Sequence, residues 1–270
     1  MIRVGVIGAA GRMGRLVCQA VAADADLALV AGINRSFGGE HLGRMIGHPE
    51  VNVRISDGLD TLLQSETEVA VDFTTPEAVM DTIRWAIEHA MHIVVGTTGI
   101  GPSELDEIER LLEDEGNESN VVVAPNFAIG AVLLQRFAAQ AARFFPAAEI
   151  IELHHEGKLD APSGTALATA ELMAKARGSE WQGPSSENVE GVRGGDVQGI
   201  RVHSVRLPGL VAHQEVIFGG IGQTLTIRHD SPQRASFMPG VLLAVKSVSG
   251  RPGLTLGLEP LLELPDGDSV

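Results

Sequence analysis

The chain opens on an apolar run, Met1-Ile-Arg-Val-Gly-Val-Ile-Gly8, and passes through Ala9-Ala10-Gly11-Arg12-Met13-Gly14 into an amphipathic stretch. Glycine at three positions three apart, between a strand-like and a helix-like segment, is hard to explain by packing alone. Such a turn lets a pyrophosphate approach the backbone N–H groups at the start of the helix. The same rhythm then repeats. Short apolar runs at residues 2–8, 27–34, 69–74, 92–96 and 120–124 alternate with helical patterns at 12–23, 76–90 and 102–115, the last two each entered by a proline near the first turn. Alternation of this kind predicts βα units whose parallel strands are buried on both faces, hence a doubly wound α/β sheet.

The second half changes character. A helix is expected near 129–145, a strand at 147–155 and a helix from 163, followed by a Gly/Ser/Glu-rich stretch at 178–199 and strand-like runs at 200–207, 210–219 and 222–230. Short turns at Pro208-Gly209 and Gly219-Gly220 predict an antiparallel or mixed sheet packed on helices, a second α+β domain. With 270 residues, 44% hydrophobic and 20% charged, the chain is long enough for two such cores.

A formal charge of -15 disfavours nucleic acid and anionic membranes, because both need a broad basic footprint. An anionic ligand must therefore meet a local positive site. Cys18 is the only cysteine, so no disulfide forms within the chain, and the first residues lack the charged and apolar regions of a signal peptide. No apolar run approaches the ~20 residues of a membrane span. A cytoplasmic enzyme is expected.

Three segments fall where parallel strands should end: Asp72-Phe73-Thr74-Thr75-Pro76, Gly96-Thr97-Thr98-Gly99 and Ala124-Pro125-Asn126-Phe127. Ligands of open α/β sheets bind along that edge. Small residues there let backbone touch a flat ring, threonine hydroxyls supply donors, and Asn126 can hold a carboxamide. Each segment alone reads first as a turn; together with the first loop they describe a crevice. The dinucleotide pattern usually places a carboxylate about 20 residues past the glycines. Here the second strand ends Ile33-Asn34-Arg35. Asn34 can bond a ribose hydroxyl and Arg35 can pair a 2′-phosphate, which leans toward NADPH, or use of both NADPH and NADH.

The densest chemistry lies in His154-His155-Glu156-Gly157-Lys158-Leu159-Asp160-Ala161-Pro162-Ser163-Gly164-Thr165. Neighbouring strand residues face opposite ways, so the two histidines are poorly placed to chelate one metal, and no metal site is expected. Histidine suits proton transfer, because its pKa lies near working pH. Lys158 adds a cation, and Ser163 can cap a helix whose first N–H groups, at Gly164 and Thr165, point outward at a carboxylate. A dicarboxylate ligand follows.

Gly8-Ala-Ala-Gly-Arg-Met-Gly14, Asp72-Phe-Thr, Gly96-Thr-Thr-Gly99, Ala124-Pro-Asn-Phe127 and above all Glu152 through Thr165 resemble, in order and nearly end to end, the motifs of the dihydrodipicolinate (4-hydroxy-tetrahydrodipicolinate) reductase family of lysine and diaminopimelate biosynthesis. The resemblance implies a Rossmann-like dinucleotide-binding domain of residues 1–126 and 234–270, and an inserted domain, 127–233, that binds substrate and forms a homotetramer through its sheet. It implies loss of water from a cyclic hydroxy-imine diacid, hydride delivery from NADPH or NADH, and protonation at the adjacent carbon. By position, His154 is implied as proton donor or acceptor, Lys158 as the second catalytic cation, and His155, Gly164 and Thr165 as holders of the substrate carboxylates. Cofactor contacts are implied at Gly8, Ala9, Ala10, Gly11, Arg12 and Met13, at Asn34 and Arg35, at Gly96, Thr97 and Thr98, and at Ala124, Pro125, Asn126 and Phe127, with Arg234 and Phe237 as further contributors. Asn34 departs from relatives with an acidic residue there, and Glu156 from those with a more basic segment. Two rival readings are another two-domain nicotinamide enzyme, acting on an amino acid or sugar, and a nucleotide-binding sensor without catalysis.

Overall fold

The structure, a computed structural model, describes residues 1–116, 118–178, 181 and 186–264. The chain divides into two compact units, one of Met1–Phe127 with Phe237–Leu264, the other of Ala128–Ser236. In the first, β1 (Ile2–Ile7), α1 (Arg12–Ala23) and β2 (Leu27–Ile33) are followed by the short α2 (Leu42–Ile46), β3 (Ile55–Ser56) and α3 (Asp60–Gln64). Then come β4 (Val69–Asp72), α4 (Pro76–Glu88), β5 (His92–Val95), α5 (Pro102–Asp114) and β6 (Asn120–Val123). The second unit holds α6 (Ile129–Ala142), β7 (Ala147–His154), α7 (Gly164–Arg177), β8 (Gly195–Val197), β9 (Ile200–Arg206), β10 (Ala212–Gly220) and β11 (Gln223–Ser231). The turn Arg234–Phe237 leads back to α8 (Met238–Ser247) and β12 (Gly253–Leu256).

The first unit is the expected doubly wound sheet, with strand order β12-β6-β5-β4-β1-β2-β3 and every pairing parallel. Its inner strands are apolar runs because both faces are covered: Val69, Ala70, Val71, Ile93, Val94 and Val95 are all at most 1% exposed. The order reverses at β1, which places the switch point between β1 and β4. Two glycines make the turn there. Gly8 has φ +81°, and a Cβ on it would lie 2.4 Å from the Phe73 carbonyl oxygen; one on Gly14 would lie 2.1 Å from the Gly8 oxygen. The motif thus lets the helix start press against the strand ends.

The second unit carries a mixed five-stranded sheet, β11-β10-β7-β9-β8, in which only β7 and β9 are parallel. Helices α6 and α7 cover one face through Ala138, Ala142, Ala166, Ala170 and Met173, which meet Ile150, Val202, Val216 and Phe218. Two turn expectations need correction. Pro208-Gly209 does not join neighbouring strands, because β7 lies between β9 and β10. The hairpin after β10 turns at Ile221-Gly222, where Gly222 has φ +71°, while Gly219 and Gly220 still pair with Thr224 and Gln223. Part of the glycine-rich stretch forms β8; residues 179–180 and 182–185 of it lie outside the described residues.

Candidate functional site

Gly8 through Met13 form the turn from β1 into α1, and the Gly8 and Ala9 N–H groups both donate to the Ile33 carbonyl, at 2.9 and 3.0 Å. This ties the loop to the end of β2. Ala9 and Ala10 are buried and can offer only backbone, whereas Arg12 is exposed. Gly11 caps α1 without a side-chain bond, which leaves the first amides of the helix for an anion. A cavity of about 400 Å³ opens beside this turn, with Gly8, Gly11, Asn34, Arg35 and Thr74 in its wall. Asn34 Oδ1 accepts the Ser36 N–H at 3.1 Å, so its amide nitrogen is the group left for a ribose hydroxyl. Asp57 and Asp81 line the same cavity, and Asp81 already accepts from Arg84 at 2.8 Å.

Asp72 organises the next two loops. It is 0% exposed, and its Oδ1 accepts from the Thr74 N–H at 3.0 Å, the Thr74 hydroxyl at 2.8 Å and the Thr97 hydroxyl at 2.7 Å. Burial pushes its carboxyl pKa up, against the hydrogen bonds from Thr97 and Thr74 that pull it down. Its Oδ2 is buried without a partner among the described residues. The Thr97 side chain is therefore committed inward and binds no ligand by its hydroxyl proton, while Thr98 is exposed. Phe127 is likewise buried, its ring 5.8 Å from that of Phe73, with Asn126 half-buried before it.

In the second unit, β7 ends at His154. Glu152 lies two residues earlier, so both side chains share one face of the strand. Glu152 is 0% exposed, and its Oε2 lies 2.5 Å from His154 Nδ1. Arg206, paired with His154 in the β7–β9 register, donates from both terminal nitrogens to Glu152, at 2.9 and 2.8 Å. The Ser163 N–H donates to the other oxygen at 3.3 Å. Burial alone would raise the Glu152 pKa; bonds from His154, Arg206 and Ser204 outweigh it and hold the carboxyl at about 2. Glu152 is therefore a fixed anion.

Lys158 sits just past the Glu156-Gly157 turn, its Nζ 2.7 Å from Asp160 Oδ1. The Asp160 carbonyl accepts from Arg206 at 2.6 Å, so one guanidinium touches both the partner of His154 and the loop of Lys158. Ser163 caps α7 as expected, its Oγ accepting the Ala166 N–H at 3.3 Å; Gly164 at the helix start is exposed and Thr165 half-buried. His155 is half-buried in the loop after β7, and Glu156 is exposed. The segment Glu152–Ser163 is thus gathered round one buried charge. Among the described residues no group of three or more His, Cys, Asp or Glu side chains is placed to hold a metal ion, and no helix is long and apolar enough to cross a membrane.

Sequence reasoning missed Glu152 and Arg206 as functional residues. The signal for Glu152 was its spacing, because a carboxylate two residues before a strand histidine must share its face. Arg206 gave a weaker one, a cation ending the mixed strand IRVHSVR far along the chain.

Family models described as the N-terminus and the C-terminus of dihydrodipicolinate reductase match residues 2–127 and 130–262. A 4-hydroxy-tetrahydrodipicolinate reductase of Nocardia farcinica is 52% identical over 267 residues, covering 97% of this chain and 99% of that protein. One of Corynebacterium diphtheriae is 50% identical with the same coverage. The solved dipicolinate-bound dihydrodipicolinate reductase from Paenisporosarcina sp. TG-14 is 41% identical, covers 96% of this chain and 99% of its own, and superposes with a TM-score of 0.83.

Proposed function

The chain belongs to the dihydrodipicolinate reductase family, and from that premise we propose that it reduces 4-hydroxy-tetrahydrodipicolinate to tetrahydrodipicolinate, with loss of water, in lysine and diaminopimelate biosynthesis. It is an oxidoreductase that uses a pyridine nucleotide. The observation that carries the reading is the buried Glu152, which holds His154 directly and, through Arg206, the loop of Lys158.

The first unit suits a dinucleotide. The Gly8–Gly14 turn leaves no room for side chains at Gly8 and Gly14, its uncapped helix start meets an open cavity, and Thr98, Asn126 and the backbone of Gly96 and Ala124 lie at neighbouring strand ends. When bound, the reduced nicotinamide supplies the hydride. The balance of the reaction is then one hydride and one proton taken up, and one water released.

The proton is this chain's task. Glu152, acceptor-only, keeps a proton on His154 Nδ1, so exchange with substrate occurs at Nε2, which has no partner among the described residues. Lys158 exchanges Asp160 for a substrate carboxylate, and the first amides of α7, at Gly164 and Thr165, take the other with His155 beside them. Dipicolinate, the planar diacid bound by the Paenisporosarcina relative, has two carboxylates to fill both places.

NADPH and NADH both serve, with Arg35 favouring the 2′-phosphate. The second unit is the substrate-binding and tetramerisation domain, its outer sheet face presenting Ile151, Leu153 and Ile217 to another copy; the enzyme works in the cytoplasm. Loss of NADPH absorbance on adding substrate freshly made by the upstream synthase tests the function. Fast, dipicolinate-sensitive loss is expected; a flat trace from protein that binds NADPH would support a nucleotide-binding sensor instead.

A further inference from the structure

We propose that Glu152 is the positioning residue for the proton-transfer histidine, and that with Arg206 it holds the acid, the loop of the catalytic ammonium and the start of the substrate-binding helix on one buried ion pair. The inference rests on reading His154 as the acid.

A carboxylate with no exposure is costly unless its oxygens are fully bonded. Arg206 answers the charge with a two-pronged contact, and for structure alone that would suffice. Two further groups nevertheless converge on the same oxygens, the Nδ1 of His154 and the N–H of Ser163. Each belongs to a different part of the site. Ser163 is the cap of α7, and His154 is the last residue of β7. Arg206 then extends the set by donating to Asp160, whose carboxylate holds Lys158.

The arrangement has a chemical consequence for the imidazole. An ionised carboxylate can only accept, so the neutral ring must carry its proton on Nδ1, and Nε2 is left bare to receive one. Glutamine at position 152 would set its amide nitrogen against existing donors in either orientation. With its amide nitrogen toward His154 it would meet an Arg206 donor and demand an accepting Nδ1; turned the other way, it would meet the second Arg206 donor and the Ser163 N–H. The first orientation opposes one donor and the second two, so the first prevails; it moves the ring proton to Nε2, the wrong tautomer for uptake there.

Nitrogen NMR of the intact protein with labelled histidine reads the tautomer directly, with His154→Gln assigning the signal. The neutral ring should carry its proton on Nδ1 in the native protein and on Nε2 in Glu152→Gln. The kcat of Glu152→Gln should fall about 10²–10³-fold with a much smaller change in KM, and Glu152→Asp, which keeps the charge, should recover part of it. A native ring protonated on Nε2 would overturn the proposal even if Glu152→Gln does not fold. So would a folded Glu152→Gln turning over within about threefold of native while His154→Gln is slow. Native speed in His154→Gln would instead sink the acid reading, and this inference with it.

Discussion

Among the described residues each unit hides one carboxylate completely, and the two are held in opposite ways. Asp72, at the end of β4, accepts from neutral threonine groups alone among the described residues, which leave one of its oxygens unpartnered, and has its pKa pushed up by burial. Glu152, near the end of β7, accepts from a guanidinium and an imidazole, and its pKa falls to about 2 although burial opposes the shift. Burial is common to both; the charge of the donors decides the outcome. Asp72 joins the loops of Thr74 and Thr97 through neutral donors, and burial there disfavours its charge. Glu152 faces His154, the proposed proton carrier, and on that reading its charge serves the imidazole.

The comparison would break first on stability. Glu152→Gln leaves the Arg206 charge poorly matched and should cost about 3–5 kcal/mol in urea unfolding, whereas Asp72→Asn keeps the accepting oxygen and should stay within about 1 kcal/mol. Equal losses would show that the two carboxylates are held alike. Lys158→Ala separates charge used for binding from charge used for folding. Its ion pair with Asp160 is partly exposed, so stability should hardly change, while kcat/KM falls about 10²-fold as a substrate carboxylate loses its partner. A change in kcat with unaltered KM would count against that role.

The pH dependence sharpens the contrast, because the signs differ. Glu152 is depressed below its ordinary 4.5, so it contributes stability that is full above that value and is lost as pH falls toward about 2. Asp72 is raised above its ordinary 3.8, so its contribution is full below that value and is lost as pH rises through the folded-state value. Unfolding of the wild type and the two variants across the acid range should show Glu152→Gln flattening the acid loss and Asp72→Asn removing the opposing trend. The smallest effect concerns the cofactor: Arg35→Ala should lower kcat/KM for NADPH about fivefold and leave NADH nearly unchanged, since Arg35 is exposed.

The first unit was legible because strands buried on both faces become continuous apolar runs, and helices α1, α4 and α5 are long enough to show a period. The elements missed there, α2, β3 and α3, span only five, two and five residues, too few for any repeat. Helix α8 escaped for another reason: MPGVLLAVKS is apolar on nearly every side and shows no stripe. In the second unit His154, Lys158 and the Ser163 cap stood in one segment and could be read locally. Arg206 reaches Glu152 only because β9 pairs with β7, and that pairing was hidden by a short link at Pro208-Gly209 that looks like a hairpin. The Ser163 cap was readable locally; the long-range partner of Glu152 was not.

The most direct measurement is the turnover of His154→Gln beside its affinity for NADPH. A fall in kcat of about 10²–10⁴-fold with nearly native cofactor binding is expected if the imidazole moves the proton. Native turnover in that variant would contradict the assignment of proton chemistry to the second unit.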